Sequence, residues 1–336
     1  MDSVTHVVLG ACIGEVIAGK QLGRKVLFLG AIAQSLPDID FVAASWLSTS
    51  ADLLAHRGIT HSFLFIAIVA PILAWLCQKG FRKRGMTFGH WLFFWGLQIF
   101  IHQFIDAFNA YGTGWFEPFS HQRVSFNTMF VADPLFTIWP IAAFIVLLVI
   151  KRNNNKRRIL AWGAIALSSI YLIAGVTFKS FAENRLNKEI RSKNLVSHRH
   201  FTTPTPLNNL LWYIVAESDS GYSIGYWSVF DKSDSIDFHF VYKNDTLLQL
   251  ATHKNTVDDL IRFSQGYYAV QMWHDTLVFN DLRFGEVLGW SEKKPKFVFY
   301  YLLEHPFDNK LIVQRGRFAR WDKANIKIFL RRIGGD

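Results

Sequence analysis

The chain has 336 residues, 51% of them hydrophobic, and a formal net charge of +10. That length and composition suit a helical membrane bundle plus one further domain. Lys and Arg fall in short runs between apolar stretches, as in cytoplasmic membrane loops, so no nucleic-acid partner is expected; the two cysteines, Cys12 and Cys77, lie inside apolar segments and rule out a disulfide framework or a Cys-based zinc motif.

The start of the chain lacks the positive region of a signal peptide, and its apolar run contains Glu15, so it reads as retained. Apolar stretches follow at about 4–19, 22–36 with a second piece at 41–47, 62–77, 88–105, 135–150 and 159–178. Several are shorter than the ~20 residues that cross a bilayer core, which implies local thinning or a partly sunken bundle. The expected architecture is a mainly α bundle of about six membrane helices over 1–178. A polar stalk at 179–200 and a small strand-rich α+β domain at 201–336 complete it. Lys20, Arg24 and Lys25 follow the first segment. Lys79, Arg82, Lys83 and Arg84 follow the third, and Lys151, Arg152, Lys156, Arg157 and Arg158 the fifth. Positive loops stay in the cytoplasm, so the N-terminus, the loops 37–61 and 106–134 and the region after 178 are expected outside. The cluster from Lys179 to Arg199 runs against that orientation.

Thr202 to Pro206 (TTPTP) breaks any helix. Beyond it, Trp212–Val215, Tyr222–Phe230 and Phe238–Tyr242 alternate between turn residues and read as strands, and Asn255–Ser264 reads as a helix.

Ionisable residues gather at one level of the bundle. His6 begins the first segment, Asp38 and Asp40 end the second, His56 and His61 precede the third, His102 and Asp106 end the fourth, and Asp133 precedes the fifth. At ~1.5 Å per residue, His6 lies about 21 Å from Lys20 along its helix. Asp38 lies about 20 Å from Lys25, and His102 about 21 Å from Phe88. His61 lies about 25 Å from Gln78, so four segments bring His or Asp to nearly one depth on the side away from the basic loops. Ionisable groups at membrane depth are costly and tend to be functional. Imidazole and carboxylate suit zinc or a similar divalent ion. His102 and Asp106, four apart, share a helix face. His56 and His61, five apart, do not, so one belongs to the loop and the other to the first helical turn. Either Asp38 or Asp40 can be the ligand. The metal candidates are therefore His6, Asp38, His56, His61, His102 and Asp106. Arg57 is a candidate phosphate clamp, and Asp40 or Asp133 a general base. Each also has a bland reading: an interfacial His, an Asp that caps a helix, an arginine that snorkels. Thr60 and Ser62 read as caps of the third segment. Glu15 falls on the opposite face from His6 and about 13 Å away, which excludes it. His198, His200, His239, His253, His274 and His305 show no ligand spacing.

MDSVTHVVLG at 1–10, LPDID at 36–40, HRGITHS at 56–62 and HQFIDAFNAYGT at 102–113 resemble, in order and spacing, the YdjM-like family of membrane-bound metal-dependent hydrolases. The resemblance covers about residues 1–140. It implies a bacterial inner membrane protein with one or two divalent ions, zinc being the expected metal. That family is in turn distantly similar to the zinc-dependent phospholipase C and P1-nuclease group, which cleaves phosphoesters. By that similarity Asp38, His61, His102 and Asp106 surround one zinc, and His6 joins a bridging Asp106 on a second. The N-terminal Trp and the later His set of that group are missing here; Asp133 or His121 are the substitutes for a third site. The implied partners are the lipid bilayer and a phosphorylated or lipid-linked substrate. A non-catalytic scaffold with a structural metal and a divalent-metal transporter are the competing readings.

Overall fold

Asp2, Ser62, Thr87 and Asp133 each set a side-chain oxygen against a backbone N–H of the following turn, and each starts a helix. These helices are α1 (Ser3–Leu22), α4 (Phe63–Gly80), α5 (Phe88–Asp106) and α6 (Pro134–Val149). Between them lie α2 (Lys25–Ser35), a 3-10 turn over Pro37–Ser45, α3 (Thr49–Ala55) and a short 3-10 turn at Ile59–His61. Helix α7 (Lys156–Ser192) follows α6. The computed structural model describes residues 1–81, 85–152, 154, 156–233, 235–292, 296–304, 309, 318 and 320–335. Arg82, Lys83 and Arg84 of the expected basic loop, and His305, lie outside the described residues.

The chain divides into two units. The first holds Met1–Ala43, Ala55–Ala174 and Pro206–Asn208; the second holds Ala44–Leu54, Gly175–Thr205 and Asn209–Asp336. In the first unit α1 and α2 cross closely because neither has a side chain at the crossing. A Cβ on Gly10 would stand 2.4 Å from the Gly30 carbonyl oxygen, and one on Gly30 only 2.1 Å from that of Gly10. Gln98 of α5 donates to the same Gly10 carbonyl at 3.0 Å, so three helices share one backbone contact. Around it pack Ala11, Ala18, Leu27, Trp91, Phe94 and Ile99. Glu15 is buried and paired with Arg157 of α7 through two contacts, at 2.8 and 2.7 Å. Arg157 is thereby withdrawn from the basic loop and also donates to the Leu147 and Ile150 carbonyls at the end of α6.

About six membrane helices were expected; fewer pass on length and hydropathy. Among the described residues, α1, α4 and α7 are long and apolar enough to cross a membrane, and α2 with the 3-10 turn makes a fourth if their 55° bend is one broken span. Helix α6 has only 16 residues. Helix α5 has 19, but Gln98, His102 and Gln103 lower its hydropathy, and all three point inward. In α5 the polar residues that build the interior weaken the apolar signal, whereas α6 is simply short.

In the second unit, the last turns of α7 bury Ala182 and Leu186 against Trp212, Ile214 and Ala216. Those three lie on β2 (Leu211–Glu217), inside the antiparallel order β1-β2-β3-β4 with β1 (Arg199–Pro204), β3 (Gly221–Ser228) and β4 (Phe238–Tyr242). Trp212 pairs with Trp227 and Tyr213 with Tyr226 across β2 and β3. A second antiparallel sheet orders β5 (Tyr268–Trp273), β6 (Thr276–Glu286) and β7 (Phe297–Leu302). Helices α8 (Lys254–Phe263) and α9 (Lys323–Ile333) also belong to the second unit. The second unit is strand-rich, as the alternation after residue 200 implied.

Candidate metal centre

Asp38 enters from the 3-10 turn after α2, His61 from the short turn before α4, and His102 and Asp106 from the last turns of α5. One nitrogen or oxygen from each lies within 4.8 Å of the others, the one such group of His, Cys, Asp and Glu found among the described residues. The His61 and His102 Nε2 atoms are 3.1 Å apart. Asp38 Oδ1 lies 3.6 Å from the first and 3.4 Å from the second. Asp106 Oδ2 lies 3.4 and 3.6 Å from the same two nitrogens.

The protons can be placed from the partners on the far side of each ring. His102 Nδ1 faces the Gln34 backbone carbonyl, which can only accept, so Nδ1 carries the hydrogen and Nε2 is bare. The Thr60 hydroxyl donates to Asp40 Oδ2 at 3.0 Å and so accepts from His61 Nδ1, also at 3.0 Å. His61 Nε2 is bare too. Two imidazole lone pairs and two carboxylate oxygens therefore converge with no hydrogen between them. Asp106 Oδ2 is buried and makes no hydrogen bond; its charged neighbour is Arg57 Nε at 3.2 Å. Such a set repels itself unless a cation stands inside it. Ligands at zinc-like distances of about 2.0–2.2 Å in a tetrahedron stand about 3.4 Å apart, which matches the observed spacing. The residues fit a divalent ion.

Asp40 stands one layer back. Its carboxylate accepts from the Arg57 backbone N–H at 2.8 Å and the Thr60 hydroxyl, and lies 3.1 Å from His56 Nδ1 and 3.4 Å from His61 Nδ1. His56, with its side chain 39% exposed, is tied to Asp40 and is not part of the converging group. Burial pulls the His56 pKa down, while Asp40 raises it. His6 stacks on His102 with ring centroids 3.8 Å apart, and its Nε2 lies 3.2 Å from Asp106 Oδ1, which also bonds the Met1 amine. His6 Nδ1 meets the Gln34 side chain at 3.3 Å. Asp106 thus faces His6 with one oxygen and the His61–His102 pair with the other.

Arg57 does not snorkel. It is 3% exposed, donates to Asn109 Oδ1 at 2.8 Å and the Met1 carbonyl at 3.3 Å, and lies over the Tyr111 ring. Its φ of 60° is unusual for a residue with a side chain and marks a backbone held by its surroundings. Burial lowers its pKa, against the raising effect of Asp38 and Asp40. Asp133 is buried elsewhere: it caps α6 through the Leu135 N–H and accepts from the Tyr171 hydroxyl at 2.7 Å. His121 is exposed and lies 2.8 Å from Glu117. Gln34, not singled out from the sequence, holds two of the histidines, His6 through its side chain and His102 through its backbone; its only local signal is an amide in the apolar run of α2.

A family model described as YdjM inner membrane protein matches residues 1–182, more than half of the chain and all of these residues. The chain belongs to this family. It is 30% identical over 122 residues to inner membrane protein YbcI of Escherichia coli strain K12, covering 36% of this chain and 69% of that protein. To YfhP, an uncharacterized protein of Bacillus subtilis strain 168, it is 31% identical over 157 residues, 44% of this chain and 46% of that one. No solved structure matches. The matched family segment ends within α7, ahead of the sheets of the second unit.

Proposed function

We propose that this YdjM-family protein is a divalent-metal-dependent hydrolase of the membrane, with zinc the best-suited ion and a phosphoester on a lipid-borne substrate as its target. One observation carries the reading: the bare Nε2 atoms of His61 and His102 stand 3.1 Å apart and face two carboxylate oxygens at 3.4–3.6 Å. His61, His102, Asp38 and Asp106 would hold a divalent ion, which would supply Lewis acidity there. Asp40 and Thr60 fix the tautomer of His61, and the Gln34 carbonyl fixes that of His102, a positioning role rather than a chemical one. Arg57 balances the charge of Asp106 and favours a phosphoryl anion next to it. His6 and Asp106 Oδ1 together offer two donors toward a second ion. Asp40 is held by three donors and Asp133 by Tyr171 and the α6 turn, so neither is assigned the proton transfer. By the positive loops the site lies on the non-cytoplasmic side, and an even number of crossings, as with the bent pair counted as one span, would put the second unit there too.

The test is direct. Full-length protein is purified in detergent, its bound metal is measured, and turnover of chromogenic phosphodiesters and of phospholipids is followed with and without chelator. At least one ion per chain and chelator-sensitive hydrolysis, both lost in His102→Ala, are expected. Stoichiometric metal with no turnover on a broad panel would favour a structural site, and zinc flux into liposomes a transporter.

A further inference from the structure

The four converging donors differ in one respect. His61, His102 and Asp106 have fully buried side chains, whereas the Asp38 side chain is 23% exposed. Asp38 also lines a groove of about 470 Å³ between α1, α2 and the 3-10 turn, a volume in the range of ligand pockets. The other walls are mainly apolar, among them Val7, Ile32, Leu36, Ile39 and Phe41. Ile32, Ile39 and Phe41 are themselves exposed, so the groove opens onto the outer surface of the helices beside the bent pair that could form one span. One turn before Ile32, the exposed Phe28 extends the same apolar track along α2. From Phe28 to Asp38 the track is about 15 Å long at 1.5 Å per residue, about half the ~30 Å hydrocarbon core of a bilayer.

We propose that this groove seats one hydrocarbon chain of a membrane lipid and delivers its phosphate-bearing headgroup to Asp38 and the metal centre. The assignment rests on the hydrolase reading above and adds to it where the hydrocarbon chain sits and the route by which the headgroup reaches the site. A water-soluble phosphoester gains nothing from walls of Val, Ile, Leu and Phe. A lipid already in the surrounding bilayer would meet them without crossing water, because the groove is continuous with the exposed apolar track of Phe28 and Ile32 on α2. Headgroup chemistry also matches: a cation between two carboxylates and two imidazoles attracts a phosphate, and Asp38 is the member of that set which the groove reaches.

The experiment uses full-length protein in lipid nanodiscs. A photo-crosslinking amino acid replaces Ile32 in the groove or, in a second protein, Ile72 on α4; these sites are similarly exposed, at 58% and 52%, so neither change disturbs the core. The probes are a non-cleavable phosphonate phospholipid and a diacylglycerol that lacks phosphate. Adducts are counted by mass spectrometry with zinc and with chelator, and bound zinc is measured in the same samples. The expected result is roughly tenfold more phosphonolipid adduct at position 32 when zinc is present, equivalent to ~1.4 kcal/mol of added affinity. No zinc effect is expected at position 72, with diacylglycerol, or after His102→Ala. Equal adducts at the two positions, or a yield at position 32 indifferent to zinc in protein that holds zinc, would overturn the groove assignment and leave the hydrolase reading standing. Failure of the wild type to hold any divalent ion would overturn both.

Discussion

Asp40 makes no part of the converging set, yet His61 depends on it. With Thr60 it decides which nitrogen of His61 keeps the hydrogen. Outer partners of this kind contribute roughly 10–100-fold to metal affinity. Asp40→Ala should therefore weaken zinc binding by about that factor without abolishing it, read by competition with a chromogenic chelator; His102→Ala, which removes a ligand, should leave no stoichiometric ion. Equal losses in the two variants would make Asp40 a ligand after all. Asp133 yields a pH prediction. Burial pushes its carboxyl up to about 6, against the lowering effect of the Tyr171 hydroxyl and the Leu135 and Phe136 N–H groups. A carboxyl raised above its unfolded value of 3.8 contributes stability that is complete below pH 3.8 and is lost as pH rises through about 6. Asn at this position still caps the helix. Asp133→Asn should flatten that decline and gain on the order of 3 kcal/mol over wild type above pH 6, measured by thermal unfolding in detergent from pH 4 to 8. A wild-type curve already flat across that window would contradict the burial argument.

Among the helices, the Glu15–Arg157 pair joins α1 to α7 and ties in the end of α6. Removing one partner of a buried pair strands the other charge and costs about 3–5 kcal/mol. Arg157→Ala should show that loss in denaturation assays, whereas Glu15→Met with Arg157→Met should recover much of it; two equally unstable variants would point to packing instead. Gly30→Ala forces a methyl group into the Gly10 backbone and should lower stability in the same assay. These elements also show what the sequence does and does not disclose. Helix starts were legible because Ser62 and Asp133 cap by local chemistry, and the common depth of His6, Asp38, His61, His102 and Asp106 followed from counting residues along each segment. The choice between Asp38 and Asp40 was not legible: the 3-10 turn sends one to Nε2 of His61 and the other to Nδ1, a distinction set by a two-residue step within that turn. Arg157 looked like a loop cation because nothing local names a partner 142 residues away.

At the level of the whole chain, strand alternation after residue 200 foretold the sheets, while the grouping of Ala44–Leu54 with the second unit depends on distant contacts such as Ser50 to Asp259 at 2.9 Å. The side of the membrane occupied by the second unit is open to a simple labelling experiment. Asp219 is exposed in the turn between β2 and β3, and the native Cys12 is buried and Cys77 partly so. Asp219→Cys should react with a membrane-impermeant maleimide in right-side-out vesicles as fully as after lysis. Labelling confined to inverted vesicles would reverse the orientation. The crowding of unprotonated acceptors at Asp38, His61, His102 and Asp106 reaches further than catalysis. A chain folded around a crowded cluster of lone pairs that only Arg57 and the Met1 amine offset is strained, so loading with the ion should be a condition of persistence and not only of activity. Cells starved of zinc should then contain less of this protein, cleared by quality-control proteases, rather than a standing idle pool.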